Sequence, residues 1–200
     1  MGIDKTRYVV REVPRSEVVD FIEENHYSHS INGVKVSHCF GLYYDDTLVG
    51  AGLFGVTATR NQWKPYGTSE ESVLELRRLV LIDDTPRNME SYFIGKMLKW
   101  LKKNTKIESV VSYADPNFGH QGIIYQASNF QFIGRTAKTR VVVLGERTYH
   151  DRALRTKYKG RLKPFAQRLV DAVETGEAHF ETHQPKYIYL YKLVDQAGQR

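Results

Sequence analysis

The stretch SYADPNFGHQGIIYQASNFQFIGRT, residues 112–136, holds an acid and a phenol spaced so that they could do proton chemistry together. Asp115 closes an apolar run that reads as a strand, and Tyr125 follows on a short helix across a glycine-rich turn. A carboxylate at a strand end can take up a proton as a bond forms on a weak nucleophile, and partial burial there pushes its pKa upward into a useful range. A phenol on the facing helix can donate a proton to a leaving group. The plainer alternatives are an aspartate that caps the turn before Pro116 and a tyrosine that belongs to the core.

Three further groups of side chains invite a chemical reading. Arg78 lies between apolar neighbours in VLELRRLVLI, and a guanidinium buried in a strand needs an anion: Glu75 in a structural pair, or a carboxylate or phosphate of a ligand. His26 and Tyr27 end the first helix, where a protonated imidazole can cap the chain or meet a substrate. Trp63 and Tyr66 sit in the polar stretch NQWKPYG, where Trp63 has no apolar sequence neighbours to pack with.

The elements that must position these groups follow from hydrophobic periodicity. Strands are expected at RYVVREV and VLELRRLVLI, and a hairpin is expected with its turn at Asp45-Asp46-Thr47. Further strands are expected at IESVVSYA, QFIGRT and KYIYLYKLV. A helix opens near Ser16, and another carries Met89, Phe93, Met97 and Leu101 along one face, with Thr85 or Asn88 as its cap. A last helix begins at Pro164. The order implies a mixed α/β (α+β) chain, one domain over residues 1–200 around a single sheet, with a basic extension toward the C-terminus. Ligands of such sheets bind beyond the strand ends, which is where Asp115 falls.

Charge is distributed unevenly. Residues 135–163 contain ten basic side chains against two acids, within a chain whose formal net charge is +6. A localised positive stripe concentrates polyanions and makes binding salt-sensitive. Arg152, Arg155, Lys157, Lys159, Arg161 and Lys163, interleaved with Tyr149 and Tyr158, are the expected contacts to a nucleic-acid backbone; a solvated loop without a partner is the alternative. Cys39 is the only cysteine, so no intrachain disulfide can form, and its setting VSHCFGLYY marks it as a small core residue. No run approaches the roughly 18 apolar residues of a membrane span, and MGIDKTRYVV lacks the apolar segment of a secretory signal. A cytoplasmic location without membrane contact is therefore expected.

Taken in order, HYSHS, FGLYYDDTLVGAGLFG, LRRLVLIDDTPRNMES, SYAD, GHQGIIYQASNF and KYIYLYKL resemble the Mom family of phage DNA-modification proteins, within the GNAT-like acyltransferase superfamily. The resemblance implies a central, mostly antiparallel twisted sheet flanked by helices. It also implies an enzyme that places a carbamoylmethyl (acetamide-type) group on the exocyclic amino nitrogen of adenine, shielding phage DNA from host restriction. By the family's motifs the catalytic positions are Asp115, Tyr125, Arg78 and Ser91, with Arg77 as the less favoured arginine. His26, Tyr27, Trp63 and Tyr66 would meet the substrate, and Arg87 and Asn88 would meet the donor.

That chemistry makes demands of its own. Adenine's amino lone pair is delocalised into the ring, so transfer needs a carboxylate to accept the proton. The target in double-stranded DNA must be extruded and held by stacking, for which Trp63 and Tyr66, or Tyr43 and Tyr44, are available. The loop IDDTPRNMES stands where GNAT enzymes wrap the pyrophosphate of coenzyme A at a helix N-terminus, yet Glu90 and Tyr92 replace the usual glycines. Acetyl transfer joins a carbonyl carbon to nitrogen, whereas a carbamoylmethyl group is joined through its methylene. The small-molecule donor therefore stays open between acetyl-CoA and another activated two-carbon unit. A metal on His26 and His29 is the weaker alternative, since no third ligand is evident.

Three rival functions fit parts of the sequence. An adenine methyltransferase is suggested by ADPNF but lacks a glycine-rich cofactor loop. A GNAT-type N-acyltransferase acting on another amine and a noncatalytic DNA-binding protein are the other two.

Overall fold

The computed structural model describes residues 5–26, 31 and 33–194. Contacts group them into two compact units: residues 1–114, 122–134 and 188–200 in the first, and 115–121 and 135–187 in the second. The chain passes between the units at four points, so no sequence linker marks the boundary.

In the first unit, β1 (Tyr8–Glu12) leads through a 3-10 turn into α1 (Val19–Asn25). Then come β2 (Val36–Tyr44), β3 (Thr47–Gly55), β4 (Val73–Leu81), α2 (Met89–Asn104) and β5 (Ser109–Ala114). The short helix α3 (Ile123–Ala127) and β6 (Gln131–Arg135) follow. Among the described residues, a final strand at Tyr187–Lys192 completes a seven-stranded sheet and lies between β5 and β6, after the order β1-β2-β3-β4-β5. Neighbours from β1 to β4 are antiparallel, and β4 pairs with β5 in parallel.

Local chemistry explains these elements. Asp45 and Asp46 adopt φ of 44° and 64°, the left-handed pair that a tight hairpin between β2 and β3 requires. On β3, Ala51 and Leu53 join the core cluster of Val18, Ile22, Ile31, Val34 and Cys39 beneath α1. Gly52 points the other way, as strand alternation dictates, and α2 packs so closely there that a Cβ would sit 2.5 Å from Met97 Sδ. Helices thus cover both faces of the hairpin. Asn88 precedes α2 in the left-handed region (φ 67°) but makes no side-chain cap, and Thr85 Oγ1 donates instead to the Ile82 carbonyl at 3.1 Å. Glu90 in the first turn and Lys102 and Lys103 in the last agree with the helix dipole.

The second unit contains the basic segment, which proves to be an insertion between two strands of the large sheet. It folds as β7 (Thr139–Leu144), β8 (Arg147–His150), a 3-10 turn, β9 (Lys157–Tyr158), β10 (Arg161–Leu162), α4 (Pro164–Glu174) and β11 (Ala178–His183). The returning strand Tyr187–Lys192 is thus β12. Among the described residues, β11, β7 and β8 form a three-stranded antiparallel sheet, and β9 and β10 form a hairpin of their own. Leu169 and Ala172 of α4 pack with Val142 and Ala178 as a small separate core. Among the described residues, no helix is long and apolar enough to cross a membrane.

Candidate active site

β4 and β5 pair only from Val73↔Ser109 to Glu75↔Val111, after which β4 runs on to Leu81 and β5 to Ala114. The strands part where β4 carries a bulge: its register against β3 passes from Leu53↔Arg78 to Phe54↔Leu76, leaving Arg77 as the extra residue. Glu75, buried at this point, accepts from the Ala58 backbone N–H at 2.9 Å and from Arg77 Nη1 at 3.1 Å. Glu75 thus forms a carboxylate–guanidinium pair with Arg77 on β4, and Arg78 Nη1 donates to the Arg77 carbonyl at 2.7 Å.

Polar groups gather around this parting. The Gln62 amide donates to the Tyr113 hydroxyl from the loop between β3 and β4. Burial, and then the nearby Tyr66 and Glu75, push the Tyr113 phenol far above its ordinary range, so it stays protonated. A cavity of about 390 Å³ opens beside the pair, lined by Gly33, Lys35, Thr57, Arg60, Glu70 and Arg77 among others. It is large enough for a small organic group.

The aromatic loop is more tightly held than its sequence suggests. Tyr66 is buried with Val73, Val111 and Leu190, and Trp63 packs against that cluster. Ser109 Oγ and Lys192 Nζ both donate to the Tyr66 carbonyl at 2.7 Å. Trp63 thus has apolar neighbours after all; they come from β4, β5 and β12, which no local window includes.

Tyr125 is half-buried on α3, its ring 5.5 Å from that of Tyr189 and 5.6 Å from that of Phe130. Gly122 makes this helix start possible: its φ is 79°, and a Cβ there would overlap the Tyr189 ring. His26 is buried as the C-cap of α1, its backbone N–H on the Ile22 carbonyl at 2.9 Å. Tyr27 and His29 lie outside the described residues. At the start of α2, Ser91 Oγ donates to the Asn88 carbonyl at 3.0 Å, Met89 is buried, and Arg87 and Asn88 are exposed.

Asp115 belongs to the second unit, whereas Tyr125 belongs to the first. The Asp115 carboxylate is 4% exposed and accepts from Asn117 N at 3.1 Å, Asn117 Nδ2 at 2.7 Å and Lys186 Nζ at 2.8 Å. Burial taken alone raises its pKa, but the Lys186 ammonium and the Asn117 donors outweigh it and hold the group below the usual carboxylate range. This corrects the upward shift expected from burial: the lysine enters from the far end of the segment. Asp115 caps the turn Pro116–Phe118 and stays ionised at neutral pH.

Arg152, Arg155, Lys157, Lys159, Arg161 and Lys163 are all exposed in the second unit. Asp151 partly neutralises the neighbourhood, with Arg155 at 3.6 Å and His150 at 2.8 Å. Lys159 and Gly160 make the left-handed turn of the β9–β10 hairpin, where Tyr158, Lys159, Arg161 and Lys163 line a groove of about 740 Å³.

Likeness to known proteins agrees with this architecture. The Mom protein family matches residues 7–198, nearly the whole chain. The chain belongs to the Mom protein family. A relative, the methylcarbamoylase Mom of Escherichia phage Mu, is 35% identical over 133 residues, which is 65% of this chain and 54% of that protein. The match thus spans about half the relative's length. A Staphylococcus epidermidis protein assigned as an acetyltransferase superposes with a TM-score of 0.52 at 10% identity, covering 94% of this chain and 99% of that one. A Salmonella typhimurium protein, likewise assigned and solved with acetyl-CoA, gives 0.53 at 8%, covering 96% and 98%. At such identities these establish the fold, a GNAT-like sheet with flanking helices.

The turn before α2 of this Mom chain suits coenzyme A poorly. Asp83 and Asp84 are exposed just upstream, Glu90 occupies the first helical turn, and the Ser91 hydroxyl is turned back onto the Asn88 carbonyl. Carboxylates beside a pyrophosphate oppose its binding. Gln62 and Tyr113 carry no sequence signal of their own, and Arg77 stands beside the favoured Arg78 on β4. The signal for Arg77 was its spacing of two from Glu75, which puts the pair on one strand face.

Proposed function

We propose that this Mom chain is a phage DNA-modifying transferase that places a carbamoylmethyl group on the exocyclic amino nitrogen of adenine, protecting the DNA from restriction in the host cytoplasm. The observation that carries this reading is the family likeness over residues 7–198, which runs through both the parted strands and the basic segment. The name of the phage Mu relative, methylcarbamoylase, supports the type of group transferred.

In this reading the adenine nitrogen attacks the methylene carbon of an activated donor. The new N–C bond forms as the bond from that carbon to its leaving group breaks. By the family's motifs Asp115, kept ionised by Lys186, has the role of proton acceptor, and Tyr125 that of proton donor to the leaving group. Arg78 and Ser91 hold the anionic part of the donor, with Arg87 and Asn88 at its far end. The turn's carboxylates favour a donor without a pyrophosphate over acetyl-CoA. His26 and Tyr27 border the extruded base, Trp63 is the ring available to stack on it, and Tyr66 backs Trp63 from the core. The exposed cations from Arg152 to Lys163 hold the double-stranded backbone without reading its sequence.

The test is mass spectrometry of nucleosides from plasmid DNA of cells that express the chain. A deoxyadenosine heavier by one carbamoylmethyl group is expected; unmodified nucleosides alone, in the presence of soluble protein, count against the assignment.

A further inference from the structure

The second unit holds a pocket that none of the proposed catalytic or backbone-contacting residues enters. It has a volume of about 340 Å³ and is lined by Leu144, Arg147, Tyr149, Phe165, Arg168 and Leu169. Its construction follows from two elements. On the β7–β8 hairpin Leu144 faces Arg147, with Gly145 at φ 57° making the turn between them, and Tyr149 lies on the same strand two residues further. On α4, Leu169 is buried, and Phe165 and Arg168 stand four and one residues before it on adjoining sides of the helix. Leu144 and Leu169 form an apolar floor continuous with the unit's core, and the two rings form walls.

Three properties define what fits. Phe165 remains 47% exposed, offering a ring face that the protein itself leaves uncovered. Arg147 and Arg168 have no carboxylate or hydrogen-bond partner among the described residues. Of the aspartates in the same unit, Asp151 is engaged with Arg155 and His150, and Asp171 with Gln167. Guanidinium groups of this kind suit phosphate, which they bind through paired N–H donors. Aromatic walls suit any base, because every base has a π-face. The volume lies at the low end of the roughly 300–1,000 Å³ of small-ligand pockets, which admits one nucleotide and not a duplex.

We propose that this pocket takes one unpaired nucleotide of DNA, its base against Phe165 and Tyr149 and its phosphate on Arg147 and Arg168. The choice of DNA as the source rests on the DNA-modifying function proposed above. An enzyme that extrudes a base leaves unpaired nucleotides nearby, and a second pocket for one of them lengthens the life of the opened state.

The experiment uses the full chain and fluorescence anisotropy with a short labelled oligothymidylate and a duplex of equal length. Phe165→Ala, and separately Arg147→Gln with Arg168→Gln, are expected to weaken single-strand binding about 10-fold while duplex affinity changes less than about twofold. These side chains are exposed, so the variants keep the thermal transition of the parent. An oligonucleotide containing 2-aminopurine should lose fluorescence on binding the parent and keep more of it with Phe165→Ala, which charge alone does not produce. Equal losses for both DNA forms, or none, overturn the proposal, as does thymidine monophosphate competing as tightly as the oligonucleotide, which would make this a free-nucleotide site. Selective single-strand loss in a protein that modifies no adenine keeps the pocket and removes the catalytic reading instead.

Discussion

Arg77 and Arg161 carry the same charge in opposite circumstances. Arg77 is 15% exposed at its side chain, fixed to a buried Glu75 on a bulged strand, and its position is set by the sheet. Arg161 stands exposed at the edge of a two-stranded hairpin, beside a wide groove. The first arrangement spends the charge on geometry, with each polar group in hydrogen-bonded place beside a cavity, as a site for chemistry on a small group requires. The second leaves charge available to whatever anion approaches, as a polyanion-binding surface requires. Asp115 is the instructive exception in the second unit: it is buried and paired like the groups of the first.

The largest expected effect tests that exception. Asp115→Asn should lower adenine modification by about 100-fold or more while DNA affinity is retained, because the amide cannot accept the proton; unchanged modification would make Asp115 a turn cap and nothing else. Next, replacing Lys157, Lys159, Arg161 and Lys163 together by Ala should weaken duplex binding and flatten the dependence of log K on log salt by about 0.9 for every phosphate that the protein no longer neutralises. An unchanged slope would show that the backbone is held elsewhere.

A direct contrast between the units comes from stability. Glu75→Ala strands Arg77 and the Ala58 N–H and should cost about 3 kcal/mol in denaturant unfolding. Asp151→Ala, which removes partners from exposed groups, should cost about 1 kcal/mol or less. Similar losses would erase the distinction between fixed and available charge. The smallest effect concerns pH. Because the folded pKa of Asp115 is depressed, its contribution is complete above the ordinary carboxylate value of about 4 and is lost as pH falls through the folded value. Lys186→Met leaves only the Asn117 donors to oppose burial and should move acid unfolding to higher pH; an unchanged midpoint would show that Asn117 alone sustains the ionised form.

Much of the first unit is legible in the sequence because its elements are local and regular. The stripe from Met89 to Leu101 dictates α2, and Asp45-Asp46 dictates the β2–β3 turn. The second unit is harder to read. TRVVVLGERTYH carries a hairpin pattern within a strongly basic stretch, and β11, AHFETH, is exposed along most of its length, so its alternating residues mark no buried face. Of the site, the bulge at Arg77 could not be foreseen, since it depends on the register against β3. The environment of Asp115 was equally hidden, because Lys186 lies far along the chain.

Composition, spacing and motif order were enough to determine the family, the alternation of strands and helices, the core status of Cys39 and the concentration of positive charge. These are properties of short windows, or of residue types summed over them, and short-range physics governs both. Tertiary structure alone decided which charges are partnered, that Trp63 has neighbours, that the Asp115 pKa falls instead of rising, and that two arginines and two rings enclose a pocket. Most of those depend on groups brought together from distant parts of the chain, and even the near pair Glu75–Arg77 depends on the bulged register against β3; burial sets the strength of their interaction.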